Sequence, residues 1–270
     1  MKFSRVVFCD FDERPRFETL RRRKAQTKAL AACNAQIVAE RRTLDSRYNG
    51  GNPHNALSRK GMREFNGTIT TEDTFVSVLE KFAPEVSVRL LPIIFDRQMT
   101  LKEGIKQTLG SISSIHYPKI IEHIAHRPTR PGLIEFADFL NDLNIPLVVI
   151  SGGLTDIVKA VLEQQQLTGK ITAIHAAEVD TSGELLHIYS AIEGDTELVA
   201  KVKAMAQYPA EEKIAIGDSV TDINMALAAD VVFARDRLLG YLDAENKSYI
   251  QWQDLFDIRD RLAHRWEVDI

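Results

Sequence analysis

The distribution of apolar and polar positions along the chain predicts four short buried strands. Residues 5–12, 145–150, 213–217 and 231–234 are nearly continuous apolar runs rich in β-branched side chains. Such runs are typical of strands that are covered on both faces of a parallel sheet. The segments between them carry helical periodicity, so the pattern predicts an α/β fold with a Rossmann-like parallel sheet. Ligands of such a sheet bind at the carboxyl ends of its strands.

The remaining pattern predicts helices and two further strands. One helix is expected over residues 71–82, with Phe75, Val78, Leu79 and Phe82 on one face. Several short helices are expected over residues 84–127, separated at Pro84, Pro92, Gly104 and Pro118. Further helices are predicted over residues 132–143, 154–166, 196–207 and 221–228, and strands over residues 171–177 and 183–189.

One stretch of 54 residues, 13–66, differs in charge from the remainder of the chain. It holds 13 Lys and Arg against 5 Asp and Glu, whereas the whole chain has a net charge of −4. Such a shift indicates an inserted segment, either helical or disordered. Its basic runs, Arg21–Lys24 and Arg41-Arg42, are not interleaved with the aromatic side chains that stack on bases. A passive segment is therefore the preferred interpretation, binding of an acidic partner remains open, and nucleic acid ranks last.

Composition narrows the class of protein further. Hydrophobic residues make up 44% of the chain and charged residues 27%, which is ordinary for a globular protein. No apolar run is long enough to span a bilayer, and residues 1–5 lack the pattern of a signal peptide. Of the two cysteines, Cys9 lies in a predicted buried strand, which argues against a disulfide framework and predicts a cytoplasmic protein without membrane partners.

Polar residues that could take part in chemistry lie at four places, three at the ends of predicted strands and one in a predicted helix. Asp10 and Asp12 end the first strand, and Ser151 with Gly152 ends the second. Lys201 lies in a predicted helix, and Asp218 and Asp222 follow the third strand. A hydroxyl and backbone N–H groups at a helix N-terminus can hold phosphate, and carboxylates suit Mg²⁺. Each feature alone has an ordinary structural explanation, and Lys203 could replace Lys201, but the ordered set indicates a phosphate-handling site.

This ordered set resembles the haloacid dehalogenase superfamily of phosphatases. The resemblance rests on Asp10-Phe11-Asp12, Ser151, Lys201 and Gly217-Asp218-Ser219-Val220-Thr221-Asp222. It implies a core formed by residues 1–12, 67–82 and 130–270, with residues 83–129 as a helical cap that closes over the substrate.

The resemblance also implies a role for each matching residue. Asp10 would be the nucleophile that forms an aspartyl-phosphate, and Asp12 the general acid and then base. The phosphoryl group would be bound by Ser151, Gly152, Lys201 and Thr68. Mg²⁺ would be held by Asp10, the backbone carbonyl of Asp12 and Asp218, with Asp222 in support.

Further motifs narrow the resemblance to one subfamily. Lys102-Glu103-Gly104, Val149–Gly153, Ile216–Asp222 and Phe233–Asp236 resemble phosphatases of methionine salvage. Phosphoserine phosphatases share the core motifs and are the alternative. Either way the expected partner is a small phosphorylated metabolite, and a homodimer is left open. A catalytically impaired homologue whose basic segment mediates binding is the competing hypothesis.

The first motif is interrupted. In the family, Gly-Thr directly follows the second aspartate, but here Asp12 is followed by Glu13, and Gly67-Thr68 comes much later. Joining Asp12 to Gly67 restores the motif and leaves 216 residues. We expect Thr68 to form a hydrogen bond near Asp12. In an alternative interpretation Glu64-Phe65-Asn66 supplies the strand, but the preceding residues are polar and an asparagine cannot serve as a general acid.

Overall fold

The computed structural model describes residues 2–11, 68–71, 74–95 and 98–269, apart from the side chains of Pro92 and Phe95. The chain divides into one unit of Met1–Arg14 with Asn66–Ile270 and another of Pro15–Phe65. All of the described residues belong to the first unit. The predicted insertion over residues 13–66 lies outside the described residues and stays a prediction.

The described part of the chain forms a sheet of seven strands with the order β4-β3-β2-β1-β5-β6-β7. The strands are β1 Phe3–Asp10, β2 Leu147–Leu154, β3 Ala173–Asp180, β4 His187–Tyr189, β5 Ala210–Gly217, β6 Val231–Ala234 and β7 Ile250–Gln251. Neighbouring strands are parallel, except that β4 pairs antiparallel with β3. The predicted α/β class with a Rossmann-like sheet is therefore confirmed.

Helices occupy most of the remaining described residues. They are α1 Thr74–Phe82, α2 Pro84–Phe95, α3 Leu101–Leu109, α4 Tyr117–Ala125, α5 Leu133–Asp142, α6 Thr155–Gln164, α7 Lys201–Ala206, α8 Ile223–Leu227, α9 Asp236–Ala244 and α10 Leu255–Trp266. Within the described ranges, no helix combines the length and the apolar character needed to cross a membrane.

Strand β1 lies at the centre of the sheet because it is apolar on both faces. Val6, Val7 and Phe8 are fully buried. One edge of β1 pairs with β2 and places Asp10 opposite Ile150, and the other edge pairs with β5. The strand order therefore changes direction at β1, with β2 on one side and β5 on the other, and ligands of such sheets bind at the carboxyl end of the strands at this point. Since Phe3–Asp10 takes this central place, the first motif, rather than residues 64–66, forms the strand.

Two predicted helix breaks are wrong. Pro92 lies within α2, and Gly104 lies within α3 instead of separating two helices. A Cβ atom on Gly104 would come 2.5 Å from Cδ1 of Ile94. Glycine at this position therefore allows α3 to approach α2 closely. This is a requirement of tertiary packing that the local sequence does not reveal. Pro84 and Pro118 do lie in the first turns of α2 and α4, where proline is tolerated.

The C-terminal elements α9, β7 and α10 complete the core but were not predicted. Helix α10 packs beside α5, and the rings of Phe139 and Trp266 stack at a centroid distance of 5.9 Å. The turn before α5 also contacts α10, since the N–H of Leu255 donates to the carbonyl of Pro131 over 3.0 Å. Gly132 makes this approach possible. It has a positive φ of 82°, and a Cβ there would lie 2.6 Å from the backbone nitrogen of Phe256.

We predict that Gly132→Ala destabilises the core. A left-handed backbone at a non-glycine residue costs about 1–2 kcal/mol, and the contact with Phe256 would add to this. The free energy of unfolding, measured by urea denaturation, should fall by at least that amount. Gly240→Ala is the matched control, because Gly240 lies within α9 with nothing within 4 Å of an added Cβ. Equal stability of the Gly132 variant and the unchanged chain would contradict the analysis.

Candidate active site

The centre of the site is a buried lysine between two aspartates from different strands. Asp10 ends β1, and Asp222 follows β5 in a short 3₁₀ helix. The Nζ atom of Lys201 donates to Oδ1 of Asp10 and, over 2.5 Å, to Oδ1 of Asp222. All three side chains are at most 2% exposed. The structure therefore brings together three of the sequence-predicted residues from three separate segments.

Burial and the two carboxylates act in opposite directions on Lys201. Burial by itself favours the neutral amine and lowers the pKa. The negative charges of Asp10 and Asp222, together with their hydrogen bonds, outweigh this effect and raise the pKa of Lys201 above its ordinary value. The lysine is therefore positively charged at neutral pH, and it offers the site a fixed cation.

The structure distinguishes Lys201 from Lys203, which the sequence could not. Lys201 is the first residue of α7, and its side chain is buried in the cluster. Lys203 is two residues further on and donates to the backbone carbonyl of Glu193 from an exposed position. Lys201 is therefore the lysine of the site.

Asp222 is held from both of its oxygens. While Oδ1 accepts from Lys201, Oδ2 accepts from the backbone N–H groups of Asp218 at 3.0 Å and Ser219 at 2.9 Å. This close fit requires Gly217, since a Cβ at residue 217 would lie 2.6 Å from Cγ of Asp222. The arrangement makes Asp222 a fixed support for the turn after β5 and for Lys201.

Asp218 extends the cluster towards the segment that follows the interrupted motif. The hydroxyl of Thr68 donates to Oδ1 of Asp218 over 2.5 Å, and both side chains are buried. The carbonyl of Asp218 accepts from the N–H of Leu238 at 3.0 Å, which ties the turn to α9. Thr68 thus contacts Asp218, the aspartate that follows β5. Its expected neighbour Asp12 lies outside the described residues, as does Gly67, so those parts of the prediction stay untested.

Three carboxylates of this cluster could hold a metal ion together. Asp10, Asp218 and Asp222 each offer an oxygen, and these three oxygens lie within 4.8 Å of one another. All three residues are buried. Charges buried in a protein interior are normally paired or coordinate a metal. Lys201 supplies one positive charge to Asp10 and Asp222, and the three carboxylates together suit an additional hard cation such as Mg²⁺.

Ser151 and Gly152 lie on the neighbouring strand. Ser151 is one position beyond Ile150, the partner of Asp10 in the sheet, and its side chain is fully buried. Its Oγ accepts from the N–H of Gly153 at 2.9 Å. Helix α6 begins only at Thr155, so the predicted phosphate cradle lies in the last residues of β2 and not in the first helical turn.

Two residues near the cluster were missed as contributors by sequence reasoning. Cys9 donates from Sγ to the carbonyl of Asp10, and burial, followed by the nearby Asp10, raises its pKa well above the ordinary value. It therefore stays a neutral thiol and adds no charge to the site. Arg130, which lies just before α5, donates from Nε to the backbone carbonyl of Thr68.

A surface depression of about 460 Å³ elsewhere on the protein shares no residue with the cluster. It is lined by Ile250, Asp257, Asp260, Arg261 and His264. The convergence of buried charged groups, and not the depth of a depression, identifies the candidate site.

Comparison with protein families agrees with this site. Residues 64–227 match the family described as haloacid dehalogenase-like hydrolase. The matched span includes Lys201, Asp218 and Asp222, and it begins after β1.

Individual relatives carry the name of one enzyme. The 2-hydroxy-3-keto-5-methylthiopentenyl-1-phosphate phosphatase of Microcystis aeruginosa (strain NIES-843 / IAM M-2473) is 48% identical over 202 residues, which are 75% of this chain and 96% of that protein. The phosphatase of the same name from Bacillus cereus (strain AH820) is 31% identical over 219 residues, covering 77% of this chain and 97% of that protein.

Solved structures with a similar fold include phosphoserine phosphatases. One, described as a phospho-aspartyl intermediate analogue of phosphoserine phosphatase, has a TM-score of 0.54 at 13% identity and covers 98% of this chain and 99% of that chain. Phosphoserine phosphatase from T. onnurineus has a TM-score of 0.54 at 15% identity, with coverages of 77% and 98%. At these identities the likeness concerns the fold. From the family match and the relatives, the chain belongs to the haloacid dehalogenase-like hydrolases and is a phosphatase of that family.

Proposed function

We propose that the chain is a Mg²⁺-dependent phosphomonoesterase that acts through an aspartyl-phosphate on Asp10. The observation that carries the proposal is the buried contact of Lys201 with Asp10 and Asp222, beside Asp218. In this arrangement, at the carboxyl end of the central strand, Asp10 would act as the nucleophile, Lys201 as a fixed cation, and Asp218 and Asp222 as additional oxygen donors. These groups support transfer of a phosphoryl group to a carboxylate.

The proposed substrate is 2-hydroxy-3-keto-5-methylthiopentenyl-1-phosphate. Relatives that are 48% and 31% identical to this chain over nearly their whole lengths are named as phosphatases of this compound. The motifs Lys102-Glu103-Gly104 and Phe233–Asp236 support the same subfamily. Phosphoserine is the alternative substrate, and it is tested below by the same assay.

In the proposed reaction, an oxygen of Asp10 attacks phosphorus, and the bond from phosphorus to the leaving oxygen breaks. Asp12 donates a proton to that oxygen and releases the alcohol. Water then attacks the aspartyl-phosphate, Asp12 accepts its proton, and the P–O bond to Asp10 breaks. Inorganic phosphate leaves and the carboxylate is restored. Asp12 enters this scheme from the sequence motif alone, since it lies outside the described residues.

Other residues of the cluster would orient the phosphoryl group and balance its charge. The ammonium of Lys201 already contacts the proposed nucleophile and would also attract phosphoryl oxygens. Ser151 and Gly152 lie in the last half of the adjacent strand and would donate hydrogen bonds, and Thr68 would add its hydroxyl or orient Asp218. These groups lie on rigid strand ends or are bonded to them, which favours a fixed geometry.

The donor set fits a divalent cation. Asp10, Asp218 and the carbonyl of Asp12 would hold Mg²⁺, while Asp222, both of whose oxygens already accept hydrogen bonds, would support the site. When bound, Mg²⁺ would offset the negative charge of the phosphate ester. Oxygen ligands in a buried cluster are those that this ion prefers.

The helices of residues 83–129 are proposed as a cap over the site. Contacts attach this region to the core on two sides. The hydroxyl of Tyr117 donates to Asp156 at the start of α6, and Lys106 pairs with Glu193 in the loop that leads to α7. A cap held in this way could exclude water from the reacting groups.

Residues 13–66 are proposed as an insertion into an otherwise ordinary phosphatase. The family match begins at residue 64. The alignment with the Microcystis protein spans 202 residues and 96% of that protein, so the Microcystis protein has little room for a comparable segment. The proposal includes a cytoplasmic location and a small phosphorylated metabolite as partner; a homodimer stays open.

We predict that Mg²⁺ stabilises the full chain and that Asp218→Asn removes this effect. Binding to the folded state raises the free energy of unfolding by about 2.7 kcal/mol at a metal concentration of one hundred times Kd. Thermal unfolding with and without MgCl₂ would measure the shift for each variant separately. Asp142→Asn, at an exposed position on α5, is the control and should keep the full shift. A shift of the same size in the Asp218 variant would contradict the assigned site.

We predict that the full chain releases phosphate from 2-hydroxy-3-keto-5-methylthiopentenyl-1-phosphate and that Asp10→Asn reduces kcat by at least about 10³-fold, because a carboxamide is a poor nucleophile. The assay compares the full chain, a chain without residues 13–66, and the Asp10 variant in each background. Inorganic phosphate is the measured product, and phosphoserine is the second substrate.

Each outcome of this assay decides one part of the proposal. A higher kcat/KM for phosphoserine would replace the proposed substrate by the alternative. Activity in the shortened chain alone would mean that the insertion disables this polypeptide, as the impaired-homologue hypothesis requires. Absence of metal-dependent turnover in both backgrounds would overturn the proposed function.

A further inference from the structure

Thr68 contacts the candidate site although it lies far along the chain from β1. It is 57 positions after Phe11 in the sequence, yet its hydroxyl lies 2.5 Å from Oδ1 of Asp218 in a fully buried position. The entropic cost of loop closure grows slowly with length, so a connection this long is compatible with that contact. Among the described residues, hydrogen bonds of residues 68–71 to the core hold Thr68 in place.

Arg130 makes the contacts that hold this segment. Its Nε donates to the carbonyl of Thr68 at 3.1 Å, and its backbone N–H donates to the carbonyl of Ile69 at 2.8 Å. Arg130 is 4% exposed, so both bonds are shielded from water. Hydrogen bonds from a charged donor are stronger than those between neutral groups. One residue thus fixes two successive carbonyls directly after the interruption.

Arg130 is itself held rigidly. A second guanidinium nitrogen donates to the carbonyl of Gln253 at 3.1 Å, and the guanidinium carbon lies 5.1 Å from the ring centroid of Trp252. Arg235 contacts the same ring, also at 5.1 Å, and the same carbonyl at 2.9 Å. A planar guanidinium can bond two carbonyls in fixed directions while it stacks on a ring, whereas a lysine ammonium cannot.

Further hydrogen bonds join the segment to the end of β1 and to the residues before Arg130. The N–H of Thr70 donates to the carbonyl of Phe11 at 3.2 Å, and the N–H of Thr71 donates to the carbonyl of Pro128 at 2.9 Å. An isolated bridge pairs Thr70 with Thr129. Residues 68–71 are therefore attached to the core by contacts that do not depend on the chain between Asp12 and Gly67.

We propose that Arg130 is a positioning residue that orients Thr68 on Asp218, and that it supplies in this interrupted chain the constraint that a direct Asp12–Gly67 connection would otherwise share. Arg130 acts through Thr68, to whose carbonyl its Nε donates, and Thr68 in turn donates to Asp218. The kinetic part of the proposal rests on the proposed phosphatase function, while the structural part can be measured without it.

The test compares Arg130→Met in the full chain and in the chain without residues 13–66. A misplacement of 1 Å can cost roughly 10²-fold in rate, so we expect kcat for phosphate release to fall about 10- to 100-fold in the full chain. In the shortened chain, where Gly67 follows Asp12 directly, the loss should be at least about tenfold smaller, because the covalent connection then also restrains Thr68. Arg130→Lys keeps the positive charge and the aliphatic part of the side chain but loses the planar guanidinium. This variant should keep more of the folded structure than Arg130→Met, and its loss of kcat should likewise be larger in the full chain than in the shortened chain.

The matched control is Arg235→Met, which removes a guanidinium from the same Trp252 ring and the same Gln253 carbonyl without a contact to residues 68–71. Its effect on kcat should be equal in the two backgrounds. Hydrogen–deuterium exchange supplies a readout that does not depend on activity. The amides of Thr70 and Thr71 should exchange faster in the full-length Arg130 variants and should be unchanged in the Arg235 variant.

Equal losses of kcat in the two backgrounds, or unchanged exchange at Thr70 and Thr71, would overturn the role of Arg130. If no background hydrolyses a phosphate ester, the proposed function fails, and the exchange comparison alone then decides the proposal. If Arg130→Met does not fold, Arg130→Lys carries the same comparison.

Discussion

The candidate site depends on one interaction, the contact of the buried Lys201 ammonium with the carboxylates of Asp10 and Asp222. Removing charges from water is costly unless partners replace the lost hydration, and removing one partner leaves the other uncompensated. Asp10 must therefore end the central strand where Lys201 can reach it. Gly217 must lack a side chain so that Asp222 can lie against the end of β5. The strand order and these local details together serve a single buried ion cluster.

The positions of groups at strand ends depend on the hydrogen bonds of the sheet more than on the length of the connection between the strands. The groups that meet here come from β1, from the turn after β5, from the start of α7 and from Thr68. Hydrogen bonds of the sheet fix the positions of β1 and of the turn after β5. Side-chain contacts fix the positions of Lys201 and Thr68. An interruption directly after β1 therefore leaves most of the constraints on the site in place. The exception is Thr68, which directly follows the interruption in the motif, and its carbonyl is the one that Arg130 binds.

Sequence reasoning identified the parts of the site that follow from strand ends. Asp10 and Asp218 were found because buried parallel strands have a clear apolar pattern and end in carboxylates. Lys201 could not be separated from Lys203, because burial that depends on tertiary packing decides between them. The breaks predicted at Pro92 and Gly104 were wrong for a similar reason, since helix packing overrides local preference there. Arg130 was missed because bonds to backbone carbonyls leave no signature in the sequence of their acceptors.

The proposal that Asp10 is the nucleophile rests on the sequence motif and the fold, and not on the contiguous family match. That match begins at residue 64 and leaves out β1, so it aligns the chain without the strand that carries Asp10. In the structure, β1 pairs with both β2 and β5, and Lys201 contacts Asp10 across that centre. In the alternative motif Glu64-Phe65-Asn66, Asn66 could not take the place of Asp12, because an amide has no acidic proton to transfer. The strand that the family match leaves out therefore carries the carboxylate that is proposed as the nucleophile.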